Sequence, residues 1–273
     1  MELIEIDKEP QEELQVKPST IREQIRSGKH KSHTSGVAND YVQANLAIVP
    51  KEYAFDFLLF ANRNPKSCPI IDVLEAGEVE SVLAAGSDIR SDIPQYFVYE
   101  YGKLTKKVHD LKEIWRDDFV SFLIGCSFTF ESQLLKEGVP LKHIEQNKNV
   151  AMYITNCQTK PAGQFSGPVV VSMRPIKNEL VQKAIDVTAQ FPNMHGSPVH
   201  VGNPKEIGIK DISKPDFGEF VEIAEGETPV FWECGVTPQS AAIHSQIPYV
   251  ITHAPGHMFI TDVTNEEFLR DRT

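Results

Sequence analysis

Apolar positions recur at helical spacing in parts of the chain and run almost unbroken in others. From Pro50 to Ala61, the residues Tyr53, Ala54, Phe57, Leu58 and Ala61 fall on one face. Pro50 suits a first turn, so a helix is predicted there, stopping at Asn62-Arg63-Asn64-Pro65. A second is predicted over 178–190, with Leu180, Val181, Ala184, Ile185 and Val187 as its apolar side. A third begins near Thr20, with Glu23 as capping-box partner, after a polar segment 1–18 read as flexible. Strands are predicted at PIIDVLE (69–75), NVAMYIT (149–155) and GPVVVSMRPI (167–176), and two within VEIAEGETPVFWECG. QYFVYE and KLTKKV form a hairpin around Tyr101-Gly102. FVSFLIG (119–125) is too apolar to be exposed and fits strand or helix; it leads into Cys126-Ser127 and a helix ending near Gly138. A further helix runs from Thr237-Pro238 to about Ser245. YVITH and MFITD close the chain as strands around Ala254-Pro255-Gly256.

This loose alternation predicts an α/β fold, a mixed sheet with helices packed on it rather than a pure doubly wound sheet. No repeat or linker marks a boundary, so residues 19–273 read as one catalytic unit.

Composition narrows the function classes. The 273 residues are 41% hydrophobic and 24% charged, enough for a sizeable core. A formal charge of −11, from 27 Lys+Arg against 38 Asp+Glu, disfavours nucleic acid or an anionic membrane as partner. No apolar run approaches the roughly 18 residues of a membrane helix, and the acidic start MELIEIDKEPQEEL is unlike a secretion signal. Four widely spaced cysteines, Cys68, Cys126, Cys157 and Cys234, suit reduced thiols, and a cytoplasmic location is expected.

The strongest local signal is CGVTPQ (234–239). A strand ends, Gly235 allows a tight turn, Thr237 can cap, and Pro238 opens a helix. Backbone N–H groups at such a junction attract anions and lower the pKa of a neighbouring thiol, so Cys234 reads as a thiolate candidate or as a buried structural cysteine. GCSFTFES (125–132) is a similar junction, with Ser127 as cap or nucleophile. PNMHGSPVHVGNP supplies His195 and His200, and HAPGH supplies His253 and His257. Pro255 breaks a helix, so the last pair belongs to a turn between strands. These four histidines offer acid–base groups, or a set for a divalent metal. Arg90 and Arg174 lie beside turns or at a strand end, where a structural or a substrate carboxylate would pair them. No P-loop or dinucleotide fingerprint occurs.

Nine blocks in order resemble one family: YVQANLAIVP, FANRNPKSCPIIDV, DIRSDIPQYFVY, WRDDFVSFLIGCSFTFE, GPVVVSMRPI, HGSPVHVGNP, GIKDISKPDFGE, FWECGVTPQ and ITHAPGHMFITD. Together, from Thr34 to Asp262, they are similar to the bacterial hydro-lyases related to D-glutamate cyclase. Asn39-Asp40 departs from the glycine often found before YVQANL. The resemblance implies a three-layer part interleaved with a smaller two-layer α/β part. It also implies a hydro-lyase of a small carboxylic or amino acid, with D-glutamate to 5-oxo-D-proline plus water, or the reverse, as the concrete reaction. His257 and His200 would then shuttle protons, with His253 and His195 as further candidates. Cys234 would sit at the oxyanion or act as nucleophile. Arg174, Arg90, Gly235, Thr237 and Ser127 would hold substrate. Two readings stay open beside it: a metal-dependent hydratase of another small hydroxy acid, and a non-catalytic carboxylate binder. No cofactor is expected, a divalent metal through the four histidines is left open, and so is a homo-oligomer.

Overall fold

A computed structural model describes residues 16–270. Most of the segment expected to be flexible, 1–15, lies outside them. The order is α1 (Pro18–Arg26), β1 (Tyr41–Pro50), α2 (Lys51–Arg63), β2 (Ile70–Leu74), β3 (Tyr96–Glu100), β4 (Lys103–Val108), β5 (Phe119–Gly125), α3 (Phe128–Lys136), α4 (Lys142–Glu145), β6 (Ala151–Gln158), β7 (Pro168–Lys177), α5 (Val181–Ala189), β8 (His200–Val201), β9 (Glu227–Glu233), α6 (Thr237–His244), β10 (Val250–His253), β11 (Phe259–Thr264) and α7 (Asn265–Arg270). The α/β class is as expected. The expected mixed sheet is replaced by two sheets in which every strand pairing among the described residues is antiparallel.

The larger sheet has seven strands in the order β2-β5-β1-β10-β3-β4, with β11 also pairing β1; the smaller runs β6-β7-β9-β8. β1 is the centre. One edge pairs β5 throughout, and the other is divided between β11, which meets Gln43 and Ala44, and β10, which meets Ala47 and Ile48. Its residues are buried on both faces. Ala47 and Val49 pack with Phe57 and Phe60 of α2 and Ala241 of α6. Leu46 and Ile48 join the core of Phe130, Leu134, Ala184 and Trp232, contributed by α3, α5 and the inner face of the smaller sheet. Val42-Gln43-Ala44-Asn45-Leu46 alternates apolar and polar positions, but Gln43 and Asn45 are buried and Ala47 to Val49 are all apolar, so neither face of the strand is exposed.

Most predicted elements are present. FVSFLIG is a fully buried strand. The hairpin turns at Tyr101 (φ 49°) and Gly102 (φ 75°), the left-handed pair of a tight primed turn. Three details differ. The first helix opens at Pro18 with no side-chain cap, so the Thr20–Glu23 box is not its start. Leu58 faces outward, 43% exposed, while Phe60 is buried in its place. VEIA (221–224) is irregular, and β9 is the one strand of that stretch.

Candidate functional site

The two strand-to-helix junctions meet where the sheets face each other. β5 ends in Gly125-Cys126-Ser127 before α3, and β9 ends ahead of Cys234-Gly235-Val236 before α6. Cys126 and Cys234 share one apolar cluster with Phe128, Val150 and Met258. Asn45 of β1 ties the junctions together. Its Nδ2 donates to the carbonyls of Gly125 (2.7 Å) and Ile124 (3.3 Å). A Cβ on Gly235 would lie 2.0 Å from that same Nδ2, so only glycine allows the β9–α6 turn to rest on Asn45. Gln43 is a second buried amide in the same strand, so the sequence does not single out Asn45.

His195 stands beside Gly125. The ring is fully buried, with Nδ1 2.8 Å from the Lys66 carbonyl. A carbonyl accepts, so Nδ1 carries the proton and Nε2 keeps its lone pair, with no hydrogen-bond partner. Burial lowers its pKa to about 4, against the opposing pull of the Lys66 and Gly125 carbonyls. The backbone is in the left-handed region (φ 73°), uncommon for a side-chain-bearing residue and enriched at functional sites. His195 lines a cleft of about 630 Å³ together with Lys66, Cys68 and Pro69 of the α2–β2 loop, with its Nε2 inaccessible to solvent. The Pro69 carbonyl accepts from the Gly125 N–H (2.8 Å), so cleft and junction share a border. Nothing in the sequence links this loop to His195.

His253 has a different place. Its Nδ1 is 3.1 Å from the N–H and 3.2 Å from the carbonyl of Leu46. It fills the gap on the β1 edge between β10 and β11. Leu46 thus offers Nδ1 both a donor and an acceptor, and burial lowers the pKa of the ring to about 4. His257 is half-buried in the following turn, Nδ1 3.1 Å from the Pro255 carbonyl. Burial, with His33 and His30 nearby, holds its pKa below the usual value. His200 lies apart, on the edge strand β8. Its Nε2 is bonded to the Asn203 carbonyl (2.8 Å), and its ring packs on Phe231, whose core lies on the sheet face opposite Trp232. The four histidines considered as a metal set are thus anchored separately. Among the described residues no group of three or more His, Cys, Asp or Glu is placed to hold an ion.

Of the two readings of Cys234, burial favours the structural cysteine over the thiolate. Cys234 is 7% exposed, and desolvation raises its pKa to about 11, more than the Val236 N–H and Arg174 offset. Burial raises the Cys126 thiol as well. Iodoacetamide at pH 7.5 is therefore expected to label exposed Cys157 in the native protein and leave Cys126 and Cys234 unmodified; early adducts on Cys234 in peptide mass spectra would contradict this.

Curated relatives align along most of the chain. A protein of Thermoanaerobacter sp. (strain X514) is 57% identical over 252 residues, covering 92% of this chain and 95% of its own. One of Clostridium beijerinckii is 56% identical (92% and 96%), and one of Stutzerimonas stutzeri 55% (92% and 95%). Each bears the name "putative hydro-lyase". The profile of D-glutamate cyclase matches residues 120–262. The chain belongs to the D-glutamate cyclase family. Among solved structures, a nitrogen repressor-like protein of Methanococcus jannaschii covers 87% of this chain and 96% of its own at 10% identity, with a TM-score of 0.38, too slight a likeness to carry an argument.

The segment matched by the D-glutamate cyclase profile holds both junctions and all four candidate histidines, while Asn45, Lys66 and Cys68 come from the chain before it. It also holds Arg174, expected to bind a substrate carboxylate. Arg174 is 1% exposed and already paired. Its Nε donates to Glu131 (2.8 Å), Nη1 to Ser172 (3.0 Å) and Nη2 to Ser127 (2.9 Å). The guanidinium lies between Phe130 and Trp232, 5.2 and 5.3 Å from their centroids. His143 Nε2 is 3.1 Å from Glu131, and Arg174 with His143 outweighs burial to bring Glu131 down to about 2. Ser127 is therefore a partner of Arg174, with no capping bond of its own. Thr237 is fully buried and bonded to both backbone groups of Val170. Arg90 grips Asp88 with two 2.8 Å bonds and packs on Trp115. Asp88, two residues from Arg90, is a partner the sequence offers, whereas Glu131, 43 residues from Arg174, is one that only the fold brings to it.

The two buried imidazoles make stability depend on pH. Both pKa values fall from 6.5 to about 4, so the unfolded chain binds more protons between those limits. Stability is fully present above pH 6.5 and lost as pH drops toward 4, by roughly 3 kcal/mol per ring. Urea titrations at stepped pH are expected to show this loss, and a flat profile from pH 7 to 4.5 would contradict the neutral rings. Among the described residues no helix is long and apolar enough to cross a membrane.

Proposed function

We propose that the protein is a hydro-lyase of a small carboxylic or amino acid, and that it closes D-glutamate to 5-oxo-D-proline with loss of water. Family membership supports the reaction class. The observation that carries the site is His195, a neutral imidazole in a residue that lines the cleft, with Nδ1 fixed by a backbone carbonyl and Nε2 buried without a hydrogen-bond partner.

The chemistry matches these groups. The α-ammonium and γ-carboxylate of the substrate become an amide: an N–C bond forms, a C–O bond breaks, and two protons pass from nitrogen to the departing oxygen. His195 Nε2 takes each proton in turn and returns it, so the ring ends neutral as it began. The tetrahedral intermediate places negative charge on oxygen, and N–H groups opening α3 and α6 are the donors for it. Cys126 and Cys234, protonated and buried, line the junctions without supplying a thiolate.

Proton NMR of the purified protein with D-glutamate, L-glutamate or 5-oxo-D-proline, with and without EDTA, tests the reading. Interconversion of the D-compounds alone, indifferent to EDTA, is the expected result. No conversion of any of them would remove glutamate as the substrate. Loss of activity with EDTA would favour the metal-dependent alternative.

A further inference from the structure

The His195 ring stands between two backbone carbonyls. Nδ1 is 2.8 Å from that of Lys66, and the carbonyl of Gly125 is close enough to oppose the fall in its pKa. The hydrogen bond a neutral imidazole makes decides which of its nitrogens carries the proton. If the Lys66 carbonyl moved away, Gly125 would be the competing acceptor. A proton on Nε2 would remove the lone pair that the shuttle uses. The place of one carbonyl therefore decides whether His195 is a base at Nε2.

That carbonyl belongs to the α2–β2 loop. Backbone bonds hold the far end of the loop: the Cys68 N–H donates to the Asn64 carbonyl (2.9 Å), and the Pro69 carbonyl accepts from the Gly125 N–H (2.8 Å). The residue next to Lys66 is held by its side chain. Ser67 is 2% exposed, and its Oγ donates to the Glu233 carboxylate. Lys66 and Cys68 line the cleft, while neither Ser67 nor Glu233 does.

Glu233 is a firm anchor. It is the last residue of β9 and lies opposite Val171 in the β7–β9 ladder. The next residue continues that ladder, with the Cys234 N–H donating to the Val170 carbonyl (3.0 Å). Burial, and then the charge of Glu233, hold the neighbouring Cys68 thiol well above its usual pKa. A hydroxyl donating to a carboxylate makes a charge-assisted bond, roughly twice as strong as a neutral one.

We propose that Ser67 and Glu233 are positioning residues for His195, their bond holding the Lys66 carbonyl against Nδ1 and so keeping Nε2 as the basic nitrogen. The proposal rests on the proposed function for the role of His195 and adds the pair that sets its tautomer.

The test is long-range proton–nitrogen NMR of the full chain with isotope-labelled histidine at neutral pH. The samples are wild type, Ser67→Ala, Glu233→Ala and Glu233→Gln, with thermal melts to confirm folding. His195→Asn assigns the His195 signals by their loss. Wild type is expected to show His195 protonated on Nδ1. Ser67→Ala and Glu233→Ala are expected to bring in the Nε2–H form and to lower kcat by about ten- to hundredfold, with KM within about threefold. Glu233→Gln keeps an oxygen to accept from Ser67, and is expected to restore the Nδ1–H form and kcat to within about threefold of wild type. A wild-type ring protonated on Nε2 would overturn the proposal. So would an unchanged tautomer in folded Ser67→Ala or Glu233→Ala, or Glu233→Gln spectra that match Glu233→Ala. Conversion of D-glutamate is measured on the same samples. Tautomer shifts as expected in a protein that never converts it would leave the pair standing and sink the cyclase reading. Conversion with the tautomer unmoved in the variants would sink the pair and leave the reaction.

Discussion

Replacing His195 with Asn is expected to lower kcat by about 10²- to 10⁴-fold, the usual contribution of a positioned acid–base group. Asn is the informative substitution because it tolerates left-handed backbone, and its amide can still donate to the Lys66 carbonyl. What it lacks is a basic nitrogen at the Nε2 position. The fold is therefore expected to survive while the proton shuttle is lost. The wild-type pH profile is part of the same prediction. With a pKa of about 4, His195 is neutral throughout the neutral range, so kcat/KM has no limb near 6.5 from this ring and falls only toward pH 4. Full activity in a natively folded His195→Asn variant would remove His195 from the mechanism.

Glu131→Gln is expected to destabilise the protein by about 3–5 kcal/mol, because it leaves the Arg174 guanidinium buried without a counter-charge. Glu131 accepts from Arg174 and lies beside His143, and all three are nearly inaccessible. Its pKa, near 2 against 4.5 for a free carboxylate, implies that this support is complete above pH 4.5 and disappears as pH falls toward 2. Urea unfolding at pH 7 measures the loss directly. The competing idea, that Arg174 holds the substrate, predicts otherwise. Freed from Glu131, the arginine would bind a carboxylate more tightly, and KM would drop with little change in stability.

Residue by residue, the site was unevenly legible. Gly235 and Pro238 marked the β9–α6 turn because both restrict backbone geometry locally. His195 was visible as a histidine in a proline- and glycine-rich loop, but so was His200, which lies on another face of the smaller sheet. Composition cannot separate two histidines five positions apart, since β8 and its partner β9 set the direction of one and the approach to Gly125 sets the other. The sequence leaves Cys234 open between a thiolate and a buried cysteine because helix-start electrostatics can be read from the chain, whereas desolvation depends on what packs around the thiol.

The sequence by itself determined the elements with a local cause: α2 behind Pro50, the Tyr101-Gly102 hairpin, both strand-to-helix junctions, and a turn rather than a helix at HAPGH. Nine blocks in order also carried the family resemblance that the curated relatives bear out. Only the tertiary structure decided that YVQANLAIVP is the central strand, because its neighbours β5, β10 and β11 come from distant parts of the chain. Only it could commit Arg174 to Glu131, set Asn45 against Gly235, and bring Lys66 to the same cleft as His195. These contacts join residues far apart in the chain. Their energies depend on distance and desolvation in the folded state, and neither quantity is written in local spacing.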